Sequence, residues 1–276
     1  LGVDLLVTIV TGPTRDPLAQ AMASVVQAPI VEEVAKGLGI LLMLRIGRRY
    51  FDGPVDGVVY GAMIGAGFAF TENILYFADS LIAGGLAQVS VTFVLRGILS
   101  PFAHVMFTAA TGFAVGLAVR RGARGGAVFG PWATGLAVAI LLHALWNGSA
   151  AFTDFFALYA TLQVPLFIGF VLGVLLLRRE EARLTRERLH DYAAAGWFTP
   201  VEVDLLATGR GRRRALAWAR TLPGDRTETM RAFIAEATRL AAARQRALTG
   251  RDDHALADER EHLARATRLR QTLLRP

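Results

Sequence analysis

The stretch Ile30-Val31-Glu32-Glu33-Val34-Ala35-Lys36 sets two adjacent carboxylates and an ammonium inside an apolar run from Leu18 to Leu44 that holds no other charge. The run is long enough to cross a bilayer as a helix, and a charged side chain at the centre of such a helix costs at least about 2.5 kcal/mol. Three of them within about one turn therefore point to a functional site. On a helix Glu32 and Lys36 are i,i+4 and Glu33 and Lys36 are i,i+3, so the lysine can neutralise one carboxylate within its own helix. We expect it to pair with Glu32 and leave Glu33 free. A carboxylate left over where water is scarce is a candidate for chemistry.

The rest of the chain supports a membrane setting. Of 276 residues, 53% are hydrophobic, and the mean hydropathy of +0.40 is too high for an ordinary soluble domain. Charge divides the chain sharply. Residues 1–177 hold nine of the 30 basic and nine of the 23 acidic groups, so the remaining 21 arginines and 14 acids give the tail the whole net charge of +7. A basic tail suits anionic headgroups or a partner protein, and its mixed charges also suit a solvated helical surface; no nucleic acid is expected. Cysteine is absent, which excludes disulfides and thiol chemistry.

Outward from the glutamates, apolar spans are expected at about 18–44, 55–77, 97–119, 127–151 and 155–177. Leu1–Thr11 is apolar but short and reads as part of a truncated span, with no signal-peptide pattern. Pro29 is expected to kink the first full span. Gly57, Gly61 and Gly65 recur every four residues in the second, a pattern that lets a neighbouring helix approach closely. The stretch Asp79–Arg96, with Gly84-Gly85, fits either an external loop or the lead-in to one long tilted helix. Basic clusters follow three spans, at Arg45/Arg48/Arg49, Arg120/Arg121/Arg124 and Arg178/Arg179. If the spans alternate, all three fall on one side, which gives a multi-pass plasma-membrane protein with a cytoplasmic tail. The fold class is thus all-α: a polytopic membrane helix bundle over 1–177, then a soluble, arginine-rich helical region over 178–276. Tail helices are expected over Arg178–Ala195, from Thr199-Pro200 to the Thr208–Gly211 break, over Arg212–Thr221, Thr227–Thr249 and Asp253–Leu274. His190, His254 and His262 read there as solvated surface residues.

Polar residues recur in four of the spans: Glu32, Glu33 and Lys36; Phe68, Glu72 and Asn73; His104, Thr108 and Gly112; His143 and Asn147. At 1.5 Å per residue, Glu32 lies about 18 Å, Glu72 and His143 about 25 Å and His104 about 20 Å from the basic side, so one layer can hold them all.

Together, Glu32-Glu33-x-x-Lys36, Phe68-x-x-x-Glu72-Asn73, His104 with Gly112, and His143-x-x-Trp146-Asn147 resemble the motif set of the PrsW family of intramembrane proteases, in the superfamily of CAAX prenyl proteases and bacteriocin-processing enzymes. The resemblance covers about residues 18–150 and leaves the tail unexplained. It implies a membrane-embedded peptidase that cuts a membrane-anchored protein such as an anti-sigma factor. It also implies that the paired glutamates and the histidines form the active site.

Residue chemistry leaves two ways to activate a water. In one, His104, His143 and either Glu72 or Glu33 hold a zinc ion while another glutamate acts as base. In the other, Glu32 or Glu33 takes the proton without a metal, and His104, His143 and Asn147 stabilise the oxyanion. Asn73 and Asn147 suit hydrogen bonding better than ligation. Ser100, one turn before His104, lies outside the motifs. A transporter that uses the same carboxylates and histidines as a proton relay is the alternative reading, although it predicts acids at several depths and an internal repeat, and neither is present.

Overall fold

A computed structural model describes residues 16–47, 50–152, 155–250 and 254–275. The Leu1–Thr11 segment, Arg48 and Arg49 of the first basic cluster, and Asp253 lie outside the described residues. Every regular element among those described is a helix. The chain forms two compact units, Leu1–Val174 and Leu175–Pro276. Three stretches, Pro54–Arg120, Gly125–Ser149 and Phe156–Ala194, are long and apolar enough to cross a membrane. The protein is an all-α membrane helix bundle.

In the first unit, α1 (Pro17–Met22) runs through a π-helical turn (Ala23–Gln27) into α2 (Ala28–Ile46). Pro29 explains the wide turn. Its ring nitrogen has no hydrogen to donate, and its ring would clash with the carbonyl four residues back. The ladder slips instead, so that the Ala28 N–H reaches Ala23 O. That leaves the Ser24 carbonyl facing a proline where the next backbone donor should be, and a side chain of another helix takes it up, as described below. On α2, Glu32, Glu33 and Lys36 are buried against the protein, whereas Ile30, Val31, Leu38 and Leu42 are exposed. Such an apolar outer face suits lipid.

The next helix, α3 (Pro54–Thr92), contains a reversal. Gly85 has φ +63° and ψ −156°, a backbone region essentially reserved for glycine. Beyond it the chain runs back along itself: the Ser80 and Thr92 hydroxyls are 2.7 Å apart and the Phe77 and Phe93 rings 6.2 Å apart. The stretch Asp79–Arg96 is therefore neither an external loop nor the start of one long tilted helix. It is the tip and return arm of a helical hairpin, ending in a π-helical turn, Phe93–Leu99.

After Ser100, α4 (Ala103–Arg120) packs antiparallel on α3 through the glycine repeat. A Cβ at Gly57 would lie 2.0 Å from the Gly112 carbonyl oxygen, one at Gly61 2.6 Å from that of Thr108, and one at Gly65 2.3 Å from that of His104. Helix α5 (Phe129–Phe152) lies against α4 and is tied to α2 by the Trp132 indole, which donates to Gly37 O at 2.9 Å. A short α6 (Phe155–Leu158) and a π turn (Tyr159–Gln163) lead to α7 (Val164–Ala194). This helix continues unbroken across Leu177-Arg178, where separate elements were expected; no glycine or proline interrupts that junction.

The second unit adds α8 (Pro200–Ala207), α9 (Gly209–Arg220), α10 (Thr227–Leu248) and α11 (Ala255–Leu274). Thr199 and Glu202 cap α8 reciprocally. Leu189, Leu206, Phe233 and Leu240 fill the core. His262 is not a solvated surface residue: its Nδ1 sits 2.8 Å from Glu236 Oε2.

Gly57→Ala should destabilise the bundle by about 1–3 kcal/mol, because the new methyl meets backbone that cannot rotate away. Gly67→Ala, with nothing within 4 Å, should leave the thermal midpoint in detergent unchanged or slightly higher. In the second unit, burial would raise the Glu236 carboxyl, but hydrogen bonds from His262 and Arg239 outweigh it and hold the group below its ordinary value of 4.5. The stability this supplies is present at neutral pH and is lost as pH falls below that value toward the folded-state pKa. Thermal melts should show that loss in the wild type, and Glu236→Gln should flatten it.

Candidate functional site

The packing of α2, α3, α4 and α5 brings all four polar groups of the sequence to one place. Lys36 lies at the centre. Its Nζ donates to Glu33 Oε1 at 2.7 Å and to Glu32 Oε2 at 3.4 Å, stands 2.9 Å from His104 Nδ1, and sits 4.0 Å from the centroid of the Phe68 ring. The expected pairing is thus reversed, because Lys36 approaches Glu33 more closely than Glu32. At 2% exposure for Lys36, 1% for Glu33 and 4% for Glu32, the cluster is covered by protein even without lipid.

These contacts dictate proton positions. An ammonium only donates, so His104 Nδ1 accepts from Lys36, and the Nε2–H of a neutral His104 donates to Glu72 Oε2 at 3.0 Å. His143 is set the opposite way. Its Nδ1 is 3.0 Å from Glu33 Oε1 and donates to it; Nε2 lies 4.0 Å from Glu32 Oε2 and in a neutral ring carries the lone pair. The flat face of Phe107 stacks on the His143 ring, with centroids 5.1 Å apart. The Thr108 hydroxyl donates to the other Glu33 oxygen at 3.2 Å. Both oxygens of Glu33 are therefore occupied.

Glu32 is placed differently. With Glu72, Asn73, His104, His143 and Asn147 it lines a cavity of about 60 Å³, room for a few waters. Glu33 does not line that cavity. Single donor atoms of Glu32, His104 and His143 lie within 4.8 Å of one another, all three residues buried. One carboxylate and two imidazoles make a usual ligand set for a catalytic divalent metal. The carboxylate in this grouping is Glu32, where the sequence reading offered Glu72 or Glu33. Glu72 is engaged by His104 and by Arg96.

Arg96 escaped the sequence reading. The Gly84-Gly85 reversal carries it back beside α3, where its Nη2 donates to Glu72 Oε2 at 2.6 Å and its Nε to Asn73 Oδ1 at 2.9 Å. Its guanidinium lies 3.7 Å from the centroid of the Tyr76 ring. The available signal was that Arg96 is the one basic residue between Arg49 and Arg120. Ser24 was missed as well: the carbonyl left open by Pro29 accepts from Asn147 Nδ2 at 2.8 Å. Ser100 does line the cavity, but its hydroxyl donates to Leu95 O at 2.8 Å.

Residues 3–175 match the model of a family described as PrsW family intramembrane metalloprotease. The chain belongs to that family. Similar proteins named Protease PrsW come from Geobacillus kaustophilus (strain HTA426), 35% identical over 107 residues, or 39% of this chain and 42% of the relative, and Clostridioides difficile (strain 630), 38% identical over 92 residues, 33% and 36%. A third, from Bacillus subtilis (strain 168), is 37% identical over 79 residues, 29% and 33%. The chain thus spans about two fifths or less of the length of these relatives. No solved structure matches it. All four polar groups fall inside the PrsW match, and the arginine-rich tail falls outside it.

Arg96→Met removes two charge-assisted hydrogen bonds and leaves Glu72 free to swing from His104. Activity against a membrane substrate should fall about 10–100-fold, the usual cost of losing an outer partner of a site residue, with unchanged insertion and yield in detergent.

Proposed function

We propose that this PrsW-family chain is an intramembrane endopeptidase that hydrolyses a peptide bond of a membrane-anchored protein. An anti-sigma factor is the substrate class the family resemblance implies. The observation that carries the reading is the asymmetry of the glutamate pair. Glu33 is locked by Lys36, Thr108 and His143, whereas Glu32 faces the cavity with His143 Nε2 4.0 Å away.

In this mechanism Glu33 positions and Glu32 reacts. Glu33 fixes the tautomer and ring orientation of His143, as carboxylates behind catalytic histidines do. Glu32, His104 and His143 would hold a divalent metal, His104 giving up its contact with Lys36 or Glu72 to do so, with zinc favoured by the donor types. Such an ion supplies a Lewis acid that brings the pKa of water near ~7. Glu32 has two oxygens, so one can serve the donor set while the other takes a proton from the attacking water and returns it to the leaving nitrogen. The water oxygen bonds to the carbonyl carbon, the C–N bond breaks, and the amine leaves protonated. Asn147 and Asn73 border the cavity, where their amides can hold the substrate backbone. Serine chemistry draws no support, because the Ser100 hydroxyl donates to Leu95 O and not to a histidine. Nor does the geometry favour a transporter, since Glu32, Glu33 and Glu72 gather in one cluster around Lys36 and His104 instead of tracing a path.

The basic clusters support the orientation. A Cβ at Gly53 would lie 3.7 Å from the Arg120 side chain, so the turn after the first cluster and the second cluster share one end of the bundle. We assign that end to the cytoplasm by the positive-inside rule, in the plasma membrane, with the tail on the same side.

Glu32→Gln should abolish cleavage in proteoliposomes, while Glu33→Gln should retain a residue of activity about 10–100-fold below wild type and bind metal more weakly. Normal processing by the Glu32→Ala/Glu33→Ala protein would end the proposal. Metal analysis of detergent-purified protein, before and after chelation, should find one divalent ion per chain in the wild type and little in His143→Ala.

A further inference from the structure

The tail is basic, yet nine of its 21 arginines form ion pairs among the described residues. Arg183 pairs with Glu180, Arg186 with Asp204, Arg239 with Glu236, Arg244 with Asp191, Arg246 with Asp258 and Arg270 with Glu202. Helix α9 breaks this pattern. At 100° per residue Arg210, Arg213, Arg214, Ala217 and Arg220 fall within an arc of roughly 120°, and all five are exposed. Arg210, Arg213 and Arg214 make no ion pair with any described residue, and Arg220 has only Asp225 nearby. The opposite face is made of buried Gly211, Ala215 and Ala219. Arg212, the one arginine of the run that points inward, donates to Leu206 O and to the Thr238 hydroxyl. Four arginines without a close ion-pair partner thus lie along one exposed stripe of α9.

Apolar surface borders that stripe. Trp218 is 43% and Leu274 56% exposed, and both line a cavity of about 250 Å³ whose other walls include Leu205, Met230 and Phe233. Arginines on one helical face with an exposed tryptophan at the edge are the composition of a helix that lies in a membrane interface, where the cations meet anionic headgroups and the aromatic ring sits at the acyl boundary. The chain brings a bilayer within reach, because α7 is apolar up to Leu177 and becomes charged at Arg178, so the second unit is tethered to a membrane by its own first helix. Tethering raises the effective concentration of the surface and lets a modest patch bind.

We propose that the outer face of α9, with Trp218 and Leu274 beside it, docks onto anionic phospholipid headgroups and holds the second unit against the bilayer. The absence of native cysteine allows a direct test on the full chain. Ala217→Cys carries a spin label at the centre of the stripe, and Ala264→Cys, exposed on α11, serves as reference. Each labelled protein is placed in nanodiscs of phosphatidylcholine alone and of phosphatidylcholine mixed with phosphatidylglycerol. The Ala217 label should lose several-fold of its accessibility to a water-soluble relaxation agent only in the anionic discs, and high salt should restore it. The Ala264 label should not change. R210E/R213E/R214E should abolish the protection with the helical content unchanged, and R210K/R213K/R214K should keep it. Equal accessibility in both disc types, equal protection at Ala264, or protection that appears only on adding nucleic acid or a soluble protein would overturn the proposal.

Discussion

The site is built around one buried ammonium. Lys36 Nζ stands within hydrogen-bonding reach of Glu32, Glu33 and His104 at once, and each contact does something the others cannot. Without it two carboxylates one residue apart would face each other out of water, an arrangement that costs several kcal/mol per uncompensated ion. With it, Glu33 is charged and fixed, His104 has its proton on the nitrogen that faces Glu72, and α2 is joined to α4. The lysine is thus both the electrostatic justification for burying the pair and the reason its two members differ.

Backbone devices make that convergence possible. The glycine repeat removes side chains where α3 meets α4, so His104 comes close enough to touch both Glu72 and Lys36. Pro29 deletes one backbone donor, and the carbonyl it exposes becomes the anchor for Asn147. The Gly84-Gly85 reversal returns Arg96 to the level of Glu72. In each case a residue chosen for what it lacks, a Cβ or an N–H, places a residue chosen for what it carries.

Those devices also explain what could and could not be read from the sequence. Helix type, the glycine contact and the common layer of Glu32, Glu72, His104 and His143 follow from periodicity and rise per residue, quantities the sequence contains. The pairing of Lys36 does not follow, because i,i+3 and i,i+4 are equally close on a bare helix and the positions are set from other helices, where His143 and Thr108 hold Glu33 and His104 holds Lys36. Arg96 was hidden for a related reason. Its role depends on a chain reversal set by the backbone angles of Gly84 and Gly85, and a glycine pair in an apolar run reads equally well as a loop or as a packing surface. The tail helices were readable from their caps, but the self-neutralisation of its charges was not, since it needs Asp191 and Asp204 to meet arginines on other helices.

Charge balance gives a further reason to regard Glu32 as the reactive member. Counting Glu32, Glu33 and Glu72 against Lys36 and Arg96, with neutral histidines, the cluster carries one net negative charge when all are ionised. A buried site of that kind is one cation short, and the shortfall has to be met by a proton or by a metal ion. Glu33 is contacted by a close ammonium, an imidazole N–H and a hydroxyl, and Glu72 by a guanidinium and an imidazole N–H. Glu32 has only the longer contact to Lys36, so the missing positive charge is most easily accepted there. A carboxylate beside a cavity with room for water is what the proposed peptide hydrolysis would require. The other two carboxylates, each with a close cation, leave that role to Glu32.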